Sequence, residues 1–129
     1  IDTMIDKKVK CVGSNQMIFY FKNKDDKRLT IIRCESKRQI HEATMCFTKK
    51  YFNSMRGFKK NSQGEGVGLI DFNEYRIENI NIDELMVCIC HRHQTLSKDP
   101  FYEYDGHVLP YDNRKVLNDH IEIINTIDA

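Results

Sequence analysis

Val87 to Gln94 reads VCICHRHQ and sets Cys88, Cys90, His91 and His93 within six consecutive residues. Thiolate and imidazole are the standard zinc ligands, so residue type alone points to a metal or a reactive centre. Spacing argues the other way. In a strand, successive side chains alternate between faces, so Cys88, Cys90 and Arg92 point one way and Val87, Ile89, His91 and His93 the other. A regular strand therefore cannot offer both pairs to one ion. Structural zinc needs four convergent ligands, commonly two separated C-x2-C-like pairs. Cys34 and Cys46 lie 12 positions apart and form no such knuckle. The segment reads as a strand with Val87 and Ile89 packed inward and the histidines near its end. Metal ligands are not assigned, and His91 and His93 are the fallback candidates.

His91-Arg92-His93 together with Tyr111 and Lys115 (YDNRK) resembles the paired histidines and Y-x-x-x-K tyrosine of rolling-circle nickases. The resemblance implies a divalent metal on the histidines and Tyr111 as nucleophile. Arg92 departs from the hydrophobic residue usual between the two histidines. Gly64 to Gly68, GEGVG, lacks the Lys-Ser/Thr of a phosphate loop and precedes a strand-like run rather than a helix. DGHVLP, Asp105 to Pro110, is similar to the start of an HNH motif, with Asn113 and His120 following, but reads as a turn carrying one histidine. His41, off the apolar stripe described below, is expected at the surface.

A basic stretch offers different chemistry. Lys49, Lys50, Arg56, Lys59 and Lys60 interleave with Phe52 and Phe58. Lysines neutralise phosphates and exposed aromatics stack on bases, so these seven residues are the candidate surface for RNA or for an acidic protein. The ordinary alternative is a solvated helix end. The whole chain carries a net charge of +1, but unevenly. Residues 1–60 hold 15 Lys/Arg against 6 Asp/Glu, and residues 61–129 hold 5 against 13. Such asymmetry suits an acidic partner, unless folding mixes the two halves.

The 129 residues suit one domain with a real core, expected to span 1–129. No apolar run approaches the ~20 residues of a membrane helix, so no membrane span is expected. Beginning at Ile1 rather than Met, the chain reads as a processed or excised piece. Five cysteines permit two disulfides in an oxidising compartment, with Cys11, Cys34, Cys88 and Cys90 as candidates and the pairing open. In a cytoplasmic or nuclear setting all five stay reduced.

These groups must be held by elements that the pattern also suggests. Met17 to Phe21 and Leu29 to Arg33 flank the polar KNKDDKR and predict an N-terminal β-hairpin with a loose loop. Ser36 and Gln39 have capping-box spacing. Ile40, Ala43, Phe47, Tyr51 and Met55 then recur every three or four residues, which predicts one main helix over about 36–56 with Gly57 as its C-terminal stop. Lys49, Lys50 and Arg56 would then occupy its last turns. A glycine-rich loop at 61–68 leads to strand-like runs at Leu69–Phe72, Tyr75–Ile82, Leu85–His93 and Phe101–Val108. The tail, Lys115 to Ile127, suits helix or strand equally. The expected class is α+β, the main helix packed on an antiparallel sheet.

CESKRQIHEA, Cys34 to Ala43, resembles the cysteine-to-helix start of small secreted fungal guanyl-specific ribonucleases and of the RNase-like effectors of powdery mildews. Val9 to Cys11 or Ile32 to Cys34 would stand for the effectors' aromatic-x-Cys signature, without its aromatic. The close match covers about ten residues. No Glu-Arg-His catalytic set is assembled; Glu74 and His93 or His107 match only by position. The resemblance implies a secreted scaffold without nuclease activity or cofactor, a virulence effector binding a host protein, such as a receptor or other target, or RNA. The alternatives are an intracellular nucleic-acid-binding module of viral type and the metal-dependent nuclease on His91 and His93. Oligomeric state is not encoded in any of these patterns.

Overall fold

The computed structural model describes residues 1–35, 39–55 and 77–128. The class is α+β. Short helices accompany two antiparallel-rich sheets, and the chain divides into two compact units.

The first unit comprises residues 1–15 and 34–81. Helix α1 (Asp2–Asp6) leads to strand β1 (Cys11–Gly13), which pairs antiparallel with β4 (Cys46–Phe47) and parallel with β5 (Ile77–Asn79). Cys11 and Tyr51 form its buried centre, with Met45, Phe47, Phe52, Met55 and Ile77 around them. Gly13 is required by a close approach. A Cβ there would lie 2.4 Å from Ile40 Cδ1, so Ile40 packs directly over bare backbone.

The single long helix is not what forms. Residues Glu42–Thr44 make a 3-10 turn, Cys46–Phe47 are β4, and only Lys49–Ser54 are helical (α2). Two threonines explain the break. Thr44, buried, gives its hydroxyl to the carbonyls of His41 (2.7 Å) and Ser14 (3.3 Å) and accepts from Ser14 N–H (2.8 Å). This local bonding competes with helical pairing and commits the next residues to β1. Thr48 then caps α2, its hydroxyl accepting from Tyr51 N–H at 3.1 Å. The cap thus falls twelve residues beyond Ser36, which lies outside the described residues together with Gly57. Ile40 and Tyr51 of the anticipated stripe are buried, whereas Ala43 is exposed. Lys49 and Lys50 consequently sit in the first turn of a helix, not the last.

The second unit comprises residues 16–33 and 82–129. The hairpin forms as anticipated, β2 (Gln16–Phe21) against β3 (Leu29–Arg33) in the register Ile18↔Ile31. Its connecting turn is anchored rather than loose: Lys27 adopts φ 47, and Lys22 Nζ donates to the carbonyls of Ile124 and Ile127. Strand β6 (Val87–Cys90) joins β2 in parallel, and β7 (Val108–Pro110) joins β3 antiparallel, giving the order β6-β2-β3-β7. Among the described residues two of the five strand pairings are therefore parallel, which departs from a purely antiparallel sheet. One sheet face packs Ile18, Leu29 and Ile31 with Ile82, Leu117 and Ile124; the other packs Phe19, Phe21, Ile32, Cys90 and Val108. The tail resolves as helices α3 (Lys115–Asn118) and α4 (Ile121–Thr126), which bury Leu117 and Ile124.

Three strand expectations shift. Of Tyr75–Ile82, Ile77–Asn79 form β5 and Ile82 begins a 3-10 turn, while Tyr75 and Arg76 lie outside the described residues; Leu85–His93 shortens to β6. Phe101–Val108 instead holds a 3-10 turn at Asp99–Phe101 and an Asx turn, in which Asp105 Oδ1 accepts from His107 N–H (2.8 Å) and Val108 N–H (3.0 Å). Leu69–Phe72 and the glycine-rich loop lie outside the described residues.

Candidate lysine-lined interface and the VCICHRHQ strand

Helix α1 ends in a Schellman motif. Val9 N–H bonds Met4 carbonyl (3.1 Å) and Lys8 N–H bonds Ile5 carbonyl (3.3 Å), which puts Lys8 at the left-handed position with φ 55. Glycine is the usual residue there, because a Cβ in that conformation costs about 1–2 kcal/mol. Two residues on, Thr48 N–H donates to Lys10 carbonyl at 2.9 Å, which starts α2 directly beside the entry to β1. Lys8, Val9 and Lys10 thereby meet Tyr51 and Ser54 of α2 around a pocket of about 360 Å³. Tyr51 is buried, and Lys8 and Lys10 are exposed.

Lys49 and Lys50 project from the same helix and are exposed. Lys7 belongs to a different set: its ammonium bonds Glu78 at 2.7 Å, and that bond raises its pKa. For Lys8, Lys10, Lys49 and Lys50, no acidic partner occurs among the described residues. The first turn of α2 holds no acidic residue either, so its positive end adds to the lysine field. Phe52 is half-buried and stacks on Phe47 (centroids 5.9 Å, planes 14° apart), so it is a wall of the core more than a free stacking platform. Arg56, Phe58, Lys59 and Lys60 lie outside the described residues. Lys8 and Lys10 were missed from sequence because their run is short and their meeting with α2 is long-range.

VCICHRHQ behaves as a strand through Cys90 and then turns. Val87 and Ile89 pack on the Ile18 face, Cys88 and Cys90 on the Phe19 face, as alternation requires. Gln94 closes the turn, its side chain accepting from His91 N–H (3.3 Å) and donating to Ile89 carbonyl (3.3 Å). The His91 and His93 rings stand 6.3 Å apart. His91 Nδ1 accepts from His93 N–H, and His93 Nε2 accepts from Arg92 Nε at 3.0 Å, with Asp128 beside both Arg92 and His93. One ring nitrogen of each histidine is therefore already occupied, beside a guanidinium. Among the described residues no three His, Cys, Asp or Glu side chains converge. Tyr111 does not join them; its hydroxyl bonds Asp83. His107 and Asp105 build the Asx turn, and Asn113 Oδ1 caps Lys115 N–H at 3.2 Å. Glu74 lies outside the described residues.

The five cysteines are free thiols. Cys11 and Cys34 belong to the first unit, Cys88 and Cys90 to the second. Burial pushes the Cys11 thiol up to about 11 and raises Cys34 as well. Cys88 and Cys90 perturb each other. The neighbouring Cys90 thiol lowers Cys88 to about 7 against the opposing effect of burial, with Lys98 assisting, while the Cys88 thiol and burial drive Cys90 far above the ordinary thiol range. Elsewhere in this unit Arg28 is sandwiched between Tyr102 and Tyr104 (4.2 and 4.6 Å to the ring centroids) and paired with Asp26 at 3.1 Å. Its charge is spent on holding the 99–104 segment to the hairpin. No protein-family model, curated protein or solved structure matches the chain.

Proposed function

We propose that this is a non-catalytic binding protein that grips RNA through the lysine-lined pocket of its first unit. The observation that carries the reading is the pocket lined by Lys8, Lys10, Tyr51 and Ser54, with Lys49 and Lys50 exposed on the helix that carries Tyr51 and with Lys8 held in a conformation that glycine would adopt more cheaply. Strain of this kind is retained where a side chain has a task. Two ammonium groups at the pocket and two more on the helix beside it suit the phosphates of a passing chain, and the pocket has room for a phosphate or a base edge.

The secreted, RNase-like setting rests on the sequence likeness of Cys34 to Ala43 alone, since the described part of that stretch leads into a 3-10 turn and a strand rather than a long helix. An intracellular module using the same surface is the second reading, favoured by the five free thiols. Alkylation of the denatured, non-reduced protein followed by intact-mass measurement separates the two. One or three modified thiols fit the secreted setting, and five fit the intracellular one.

Binding itself is tested by anisotropy of a labelled single-stranded RNA over a salt series. Four phosphate contacts at about 0.7 each give a log–log slope near −3, or roughly a 50-fold loss between 50 and 200 mM salt. Replacing Lys8, Lys10, Lys49 and Lys50 with Glu should remove both affinity and slope. Unchanged binding would mean that the lysines merely solvate the surface, and an acidic protein partner would then have to be sought elsewhere on the chain.

A further inference from the structure

Cys88 and Cys90 form a second locus, in the other unit and independent of the RNA reading. They occupy alternate positions of β6 and so share one face, with Cys90 fully buried and Cys88 half-buried at the edge of the sheet. Phe19, Phe21 and Phe101 enclose that face, and Met17 packs against the same cluster. Lys98 acts electrostatically on both sulfurs.

The two thiols share one face of β6, yet strand geometry opposes joining them directly. Residues i and i+2 of a strand have Cα atoms about 6.6 Å apart, at the far limit of the ~4.4–6.8 Å that a disulfide tolerates. A disulfide would require β6 to bend out of its pairing with β2. A bridging ion relaxes that demand: with metal–thiolate bonds near 2.3 Å, a two-coordinate centre spans up to roughly 4.6 Å between sulfurs, against about 2 Å for a disulfide.

We propose that Cys88 and Cys90 bind one copper(I) ion as a two-thiolate site on the Phe19 face of the second unit. Soft thiolate and thioether ligands select monovalent copper. Zinc would demand two more ligands, and none converge here among the described residues. Binding releases the two thiol protons and forms two copper–sulfur bonds with no change in oxidation state, leaving a bis-thiolate of net charge −1. The Lys98 ammonium balances that charge, and the aromatic wall keeps water from the ion.

The test is anaerobic competition, with copper(I) supplied as its bathocuproine disulfonate complex and followed by loss of the chelator's colour. Wild type should withdraw one copper per chain. Cys88→Ser and Cys90→Ser should each weaken binding at least about tenfold, while Cys34→Ser and Cys46→Ser should leave it intact. X-ray absorption of the loaded protein should show two sulfur neighbours. Cys90 is a core residue, so its variant is checked by circular dichroism. Cys88→Ser, at a half-buried edge position, decides the matter if the Cys90 variant fails to fold. The proposal is overturned if the chelator keeps the copper, if Cys88→Ser binds as wild type does, or if mild oxidation instead converts the pair to a disulfide (a two-mass-unit loss) without prior copper binding.

Discussion

Replacing Lys8 with glycine should move stability and binding in opposite directions. Lys8 sits at φ 55 as the left-handed residue of the motif that closes α1. Relief of the left-handed penalty is worth about 1–2 kcal/mol, and the extra freedom of an unfolded glycine takes back about 0.5–1. The net expectation is a gain of roughly 0.5–1 kcal/mol, or about 2–5 °C in Tm. The same change deletes one ammonium from the pocket rim, so the RNA salt slope should shrink by about 0.7. Thermal melts by circular dichroism and anisotropy at four salt concentrations measure both. A lowered Tm would refute the strain argument, because the backbone there would then not favour glycine. An unchanged slope would refute the assignment of Lys8 to a phosphate. Lys8→Asn, which tolerates the left-handed region without the charge, should match glycine in slope while gaining less stability.

Gly13→Ala should cost about 1 kcal/mol, since the new Cβ meets Ile40 Cδ1 at 2.4 Å, and Ile40→Val, which removes that atom, should restore part of the loss; additive effects in urea melts would contradict the contact. Thr48→Ala should destabilise by about 1 kcal/mol through loss of the cap on Tyr51 N–H, with Thr48→Asn tolerated. Alkylation of Cys88, followed by peptide mass mapping, should rise with a midpoint near pH 7, because the neighbouring Cys90 thiol stabilises the thiolate; Cys90→Ala should move that midpoint up, and a midpoint unaffected by the change would show that Cys90 is not the cause. The sign for folding follows: the depressed Cys88 value contributes stability that is present near the ordinary thiol value of 9.0 and fades as pH falls through about 7, while the raised Cys90 value takes stability away as pH climbs further.

What sequence alone determined here is whatever depends on residues close along the chain. Period-2 alternation in Met17 to Phe21 and Leu29 to Arg33 was enough for the hairpin, and alternation in VCIC correctly sent Val87 and Ile89 to one face and the cysteines to the other. That split also sets the cysteines and the histidines on opposite faces of a regular strand, away from a single ion. The α+β class followed from the same local patterns.

Tertiary structure decided the rest. Ile40, Ala43, Phe47, Tyr51 and Met55 carry a good helical period, yet Thr44 bonds to Ser14, thirty residues away, and Cys46–Phe47 pair with β1. A six-residue helix gains little from propensity, and a strand pairing with a buried hydroxyl network outweighs it. Moving the cap from Ser36 to Thr48 changed the meaning of Lys49 and Lys50 from residues that complement a helix end to residues that sharpen a positive one. The pocket itself joins Lys8 and Lys10 to Tyr51 and Ser54 across some forty residues of chain, a distance over which local spacing carries no information.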